Sequence, residues 1–345
     1  MNETLLLILE WTIKGGLLAF VLATGFAYTT FYERKWAARL QIRIGPNRTG
    51  PGGWLQPAAD GVKLFFKEEF TPANAYKLAF NLAPILTMVP AIVIMAVIPW
   101  GSEIELFGRI IPLGISNELN VGVLFLLSVA SISVYGIVLA GWSSNNKYAM
   151  LGGLRSTAQM ISYELALGLS FVGPIMLAGS LNLADIVRAQ MAAGGWFFTK
   201  WYVIYLPLAA VVFYIAALAE VNRSPFDMPE AEQELTAGYH TEYSGMKFSL
   251  FFMGEYIKMI AVSAICATLF FGGYDGPFVD SYPLLGPLYL GIKIFISLGL
   301  MIWIRAAMPR LRYDRLMSFG WKVMLPLSLL NVVWAAAVII FFNAG

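Results

Sequence analysis

The sequence predicts an all-α polytopic membrane protein. It has eight transmembrane helices, a short amphipathic helix after the first span, and a structured acidic cytoplasmic loop between spans 5 and 6. Three observations carry this. Of 345 residues, 59% are Ala, Val, Ile, Leu, Met, Phe, Trp, Tyr or Cys and 13% are charged, whereas soluble domains run at about 45–50% apolar and about 25% charged. Eight stretches reach the ~20 apolar residues that a helix needs to cross a bilayer core. Finally, Lys and Arg fall mostly in alternate loops. So few charges cannot coat a soluble enzyme, and the composition equally excludes a disordered chain or a nucleic-acid binder. The lone cysteine, Cys266, rules out an internal disulfide or a CxxC site, and one histidine, His240, leaves little for a His-based metal site.

The spans read as 5–32, 78–100, 119–141, 157–179, 201–220, 248–271, 287–306 and 323–343, within a single membrane domain over 1–345. The first does not read as a cleaved signal, because Glu3 and Glu10 stand where a basic region belongs and the apolar run is too long. Loop 1 holds Arg34, Lys35, Arg39, Arg43, Arg48, Lys63, Lys67 and Lys77, and loop 7 holds Arg305, Arg310, Arg312, Arg315 and Lys322. Loops 3 and 5 add Lys147, Arg155, Arg223 and Lys247, against Arg109, Arg188 and Lys200 in all the even loops. The odd loops are therefore cytoplasmic or matrix-side, with both termini outside. Trp54, Trp100, Trp142, Trp196, Trp201 and Trp321 near span ends form an aromatic belt.

Loop 1 turns sharply through Gly45-Pro46 to Gly53. Leu55, Ala58, Ala59, Val62, Leu64, Phe65 and Phe66 then recur near helical spacing, which predicts the amphipathic helix at the interface or packed between spans. For Lys63 and Lys67, anchoring to anionic headgroups is an equally good reading.

Loop 5 carries Glu220, Asp227, Glu230, Glu232, Glu234 and Glu242 on the side where cations are expected. Ser224, Pro225 and Asp227 read as the opening of a short helix, which would use Asp227 and Glu230 at its positive end. That leaves Glu232, Glu234 and Glu242 unexplained and points to a functional acid cluster. His240 beside it reads as structural or as a proton relay.

Two carboxylates, Glu164 and Glu255, fall about seven residues inside spans 4 and 6, on the order of 10 Å below the cytoplasmic boundary. Intramembrane carboxylates are costly and mark functional sites. Glu255 has a bland alternative, an i,i+3 ion pair with Lys258. Glu33 and Glu220 add two acids at a shallower level. The outer half offers only Glu10 paired with Lys14, an isolated Lys293 and loop acids such as Asp275 and Asp280. A ladder of carboxylates that stops midway has to continue sideways into a partner.

The runs ERK…RIGPNRTGPGG…LQPAADGVKLFFKE and AEVNRSPFDMPEAEQELTAGYHTEYSG resemble the H, or ND1-type, membrane subunits of respiratory complex I, the NADH:quinone oxidoreductase. The resemblance covers the whole chain. It implies that Glu33, Arg34, Asp60, Arg223 and Phe226 border a quinone chamber reached between spans 1 and 6. It also implies that Glu164, Glu220, Asp227, Glu230, Glu232, Glu234, Glu242 and Glu255 couple quinone reduction to proton translocation. The substrate would be ubiquinone or menaquinone, with no cofactor held by this chain. FMN and iron–sulfur clusters would lie in peripheral-arm subunits, and small membrane subunits would lead on to antiporter-like ones. A bacterial inner (plasma) membrane or a mitochondrial inner membrane fits, with lipids as neighbours. Three other readings remain: a homologous subunit of a membrane-bound hydrogenase or related dehydrogenase, a stand-alone transporter, and a lipid-processing enzyme. A transporter predicts internal repeats, and none is evident.

Overall fold

A computed structural model describes residues 3–106, 109–117, 119–192, 199–228, 237–279 and 281–343. Among them are seven helices long and apolar enough to cross a membrane: α1 (Glu3–Leu40), α3 (Lys77–Val97), α4 (Gly122–Ser143), α5 (Lys147–Ala178), α9 (Gly245–Phe270), α10 (Leu285–Ala307) and a composite of α11 (Tyr313–Phe319), a π-helical turn Gly320–Met324 and α12 (Leu325–Asn343). Shorter helices are α2 (Gln56–Phe66), α6 (Leu183–Ala192), α7 (Tyr202–Tyr205) and α8 (Pro207–Glu220).

The expected fifth span is not one helix. Pro207 disfavours helical geometry at the residue before it, and Leu206 sits at φ −126°, ψ 57°, which separates one turn of α7 from the 14-residue α8. Three spans run longer than expected, and the last of them starts ten residues early, at Tyr313. Helix α1 continues to Leu40 because Glu33-Arg34-Lys35 and Ala37-Ala38-Arg39 favour helix. It stops where Ile42 takes φ 55° and Gly45 follows at φ 71°. Helix α5 begins at Lys147, capped by the Asn146 side chain, and ends on Gly179 in a left-handed C-cap. The segment joining α3 to α4 is not purely helical. Glu103–Leu106 (β1) and Arg109–Pro112 (β2) form a two-stranded antiparallel hairpin pairing Ile104 with Ile111.

Helix α9 is the axis of the bundle: every residue from Gly254 to Phe270 is buried. A helix apolar on all sides has to be enclosed, and α1, α3, α8 and α10 all pack against it. Around this centre α3 packs on α4, α4 on α5, and α5 on α8 and α12. Small residues permit the closest crossings. A Cβ at Gly136 of α4 would lie 2.9 Å from the Ala83 carbonyl of α3. The predicted amphipathic helix is present as α2. None of its residues is buried, and Val62, Phe65 and Phe66 are exposed.

Lys293 is not isolated as expected: it donates to the carbonyls of Gly273 (2.7 Å) and Asp275 (2.8 Å). The Glu10–Lys14 pair forms at 2.5 Å, and Lys14 also donates to the Pro112 carbonyl of β2 at 2.7 Å.

Candidate functional site

The charged residues that the sequence scatters over four segments converge at the cation-rich end of the bundle. Glu33 near the end of α1 is buried, and it accepts from the Tyr256 hydroxyl of α9 (2.6 Å), from Arg305 of α10, and from Arg223 Nη1 (3.5 Å) in the loop after α8. Arg223 is 4% exposed, lies 3.9 Å from Glu255 Oε2, and stacks its guanidinium over the Tyr256 ring at 4.4 Å. A buried charge is tolerated only when paired and hydrogen-bonded. Two arginines therefore hold Glu33 while Arg223 also faces Glu255.

The local chain explains why Arg223 points inward. Helix α8 ends at Glu220, and Asn222 reverses the chain at φ 54°, a left-handed geometry that Asn tolerates. Buried Gln159 of α5 grips this turn by donating to the carbonyls of Ala219 (2.9 Å) and Phe226 (2.7 Å) and to Asn222 Oδ1 (3.3 Å).

Behind this cluster, Lys258 of α9 is 6% exposed and has Glu220, Glu255 and Glu164 as its charged neighbours. Carboxylates from α8, α9 and α5 thus act on one ammonium group. Glu255 also comes within 3.9 Å of Arg223. Glu164 accepts from the Ser131 hydroxyl of α4. Glu220 Oε2 is buried without a hydrogen-bond partner among the described residues. Glu220 and Lys258 border a cavity of about 30 Å³ whose other walls are apolar, among them Ile94, Leu126, Phe171 and Ile265.

A larger cavity of about 330 Å³ opens at the cation-rich end between α1, α9 and α10, lined by Glu33, Arg34, Gln41, Arg43, Tyr256 and Arg305. Arg34 also pairs with Asp60 of α2 at 2.6 Å, which fastens α2 to α1, and Gln56 one turn earlier on α2 donates to Asp60 at 3.0 Å.

Of the residues singled out by sequence, Glu33, Arg34, Asp60, Arg223, Glu164, Glu220 and Glu255 are drawn into this region. Phe226 is 4% exposed and packs on Tyr163 (5.4 Å between ring centroids), so it belongs to the core. Glu242 lies apart at the start of α5, where Asn146 Nδ2 donates to it at 2.7 Å. Asp227 is half-buried in the turns that follow α8. Glu230, Glu232 and Glu234 lie outside the described residues, as does most of the short helix expected after Ser224. His240 is buried among Tyr239, Phe248, Phe251 and Phe252, and burial pushes its imidazole pKa down to about 3. It is neutral near pH 7 and structural in placement. Tyr256 and Arg305 escaped the sequence reading. Arg305 looks there like any cation at a span end, and the only hint of Tyr256 is its position beside Glu255. Among the described residues no group of three or more His, Cys, Asp and Glu side chains is placed to share a metal ion.

These features define a polytopic helical membrane protein whose bundle axis carries a buried, charge-compensated network beneath an open cavity. Comparison with known proteins supplies the family. The family model described as NADH dehydrogenase matches residues 13–336. The chain is 53% identical over 323 residues to the NADH-quinone oxidoreductase H subunit of Thermomicrobium roseum, with 93% of each chain covered. It is 51% identical over 313 residues to the H subunit of Protochlamydia amoebophila (91% and 92% covered) and 52% identical over 330 residues to an H subunit of Geobacter sulfurreducens (93% and 92% covered). The chain belongs to the family of NADH-quinone oxidoreductase H subunits.

Proposed function

We propose that this chain is the membrane subunit of a proton-translocating NADH:quinone oxidoreductase that encloses much of the quinone chamber and transmits the redox event to proton translocation. The supporting observation is the placement of Glu33, held by Arg223, Arg305 and Tyr256 at the wall of the 330 Å³ cavity. In this reading the broken α7–α8 segment is the fifth of eight crossings. The cation-rich end faces the cytoplasm, both termini lie outside, and the membrane is a bacterial inner membrane.

The quinone headgroup approaches past Arg34 and Asp60 between α1, α2 and α9. Electrons arrive from an iron–sulfur cluster in an adjoining peripheral-arm subunit, itself fed through FMN. Reducing the quinone takes two electrons and two protons and transiently raises negative charge in the chamber. That charge acts on the nearby arginine–carboxylate network by Coulomb coupling, which weakens slowly with distance in a low-dielectric interior. Arg223 touches both Glu33 and Glu255, so a displaced or more strongly engaged Arg223 alters the charge balance felt by Glu255, Lys258, Glu220 and Glu164. Asp227, Glu230, Glu232, Glu234 and Glu242 extend the same chain along loop 5, and small membrane subunits carry it onward.

The experiment is purification of the intact assembly in mild detergent through a C-terminal tag, from wild type and Glu234→Gln cells. Co-purification of flavin and iron–sulfur subunits with inhibitor-sensitive NADH:quinone activity is the expected result, with proton pumping lost in the variant. Recovery of the chain alone, or with hydrogenase subunits and no NADH oxidation, contradicts it.

A further inference from the structure

We propose that the groove on the opposite face of α1, away from the Glu33 cavity, is a binding site for the headgroup of an anionic phospholipid. At 3.6 residues per turn, Tyr32, Lys35, Trp36 and Arg39 project to one side of α1 and Glu33, Ala37 and Gln41 to the other. The first set forms one wall of a separate cavity of about 410 Å³, completed by Trp54 before α2 and by Phe295 of α10.

Around the Glu33 cavity, Arg34, Arg223 and Arg305 are each paired with a carboxylate, and Arg43 donates to Gln41 Oε1 at 2.7 Å. Lys35 and Arg39 have no acidic partner within ion-pair distance among the described residues. Lys35 makes only a contact over the Phe31 ring at 5.6 Å. Two cations one turn apart, uncompensated by protein, attract a phosphate.

The rest of the groove suits the remainder of a lipid. Tyr32 stacks on Phe295 at 4.4 Å, and Trp54 packs against Tyr28 and Phe31 at 5.9 Å, which gives a rigid aromatic floor. Trp54 is 61% and Phe295 54% exposed, so the groove opens sideways from the bundle. Tyr32 and Trp54 stand near the inner end of the first span, at the headgroup belt, while Phe295 lies mid-way along α10, at the depth of an acyl chain. Two cations without a carboxylate partner among the described residues, set beside an aromatic wall, match an anionic headgroup by charge.

Two measurements on the intact assembly test the site. A photoreactive phenylalanine analogue placed at Phe295 should form an adduct with a phospholipid, read by mass spectrometry. An adduct with a neighbouring subunit, or none, overturns the proposal. In lipid nanodiscs, retention of phosphatidylglycerol by Lys35→Gln/Arg39→Gln should weaken by about thirtyfold, the effect of removing two interfacial cations. Arg312→Gln/Arg315→Gln, two exposed cations at the start of α11, should retain the lipid nearly as wild type does. Equal loss in both double variants, or none in either, contradicts a specific groove.

Discussion

The Tyr256 hydroxyl donates to Glu33 Oε2 at 2.6 Å, and the ring that carries it lies beneath the Arg223 guanidinium at 4.4 Å. One side chain on the bundle axis thus touches both signs of charge in the network. It fixes the carboxylate by a hydrogen bond and the arginine by its π face.

Tyr256→Phe keeps the ring and removes only that donor. The assembly should form normally, because the arginine pairs and the stacking persist. A hydrogen bond to a charged group contributes about 1.5–3 kcal/mol. NADH:quinone activity should therefore fall by roughly tenfold or more if that energy positions Glu33 for turnover, while NADH oxidation by an artificial acceptor stays unchanged. Unaltered quinone reductase activity would show that the hydrogen bond is idle.

Arg223 is buried between two carboxylates, so Arg223→Met leaves Glu33 and Glu255 partly uncompensated. Breaking a buried pair in this way costs about 3–5 kcal/mol. Native gels should show little assembled complex. Arg223→Met/Glu255→Gln should recover part of it by removing one stranded charge. If the double variant assembles no better than the single one, Arg223 acts through packing rather than charge.

His240 gives a prediction about acid. Burial holds its pKa near 3 against an ordinary value of 6.5. The unfolded chain therefore binds a proton that the native chain refuses. Its contribution to stability is complete above about pH 6.5 and is lost as pH falls toward 3, by up to about 1.4 kcal/mol per pH unit. His240→Phe should flatten the decline in melting temperature between pH 6.5 and 4.5. A slope identical to wild type would contradict neutral burial.

Loop 5 lies against α5 at a glycine contact. A Cβ at Gly152 would come within 2.7 Å of Gly238 Cα, which itself holds φ 56°. Gly152→Ala should therefore displace the loop, costing about 1–3 kcal/mol and lowering the amount of assembled complex. Gly168→Ala on the same helix meets nothing closer than Leu127 Cδ1 at 4.0 Å and should assemble as well as wild type.

These residues also show what a sequence makes legible. The amphipathic α2 follows from the spacing of Leu55, Val62, Phe65 and Phe66, because gathering apolar residues on one face of a helix imposes a period. The acids worth examining stand out because a carboxylate within an apolar run is expensive. Their partners do not stand out. Lys258 is one turn from Glu255, yet Glu255 faces Arg223, which a one-helix view cannot register. Glu33 meets Arg305 only after the bundle closes. Phe226 sits inside a distinctive run, and its ring is buried against Tyr163, which no single-helix pattern announces. The hairpin of β1 and β2 is too short for its alternation to compete with the neighbouring spans. The break before α8 is signalled by Pro207 but is easily passed over in a continuous apolar stretch.

The most direct test is the ratio of protons translocated to NADH oxidised, measured on the intact assembly in proteoliposomes, for wild type and Glu220→Gln. Glu220 neighbours both Glu164 and Lys258 electrostatically and borders the apolar cavity that ends the charged region. The expected result is a ratio reduced to half or less, with electron transfer to artificial acceptors intact. An unchanged ratio with full quinone reductase activity would remove Glu220, and with it the proposed carboxylate chain, from the coupling path.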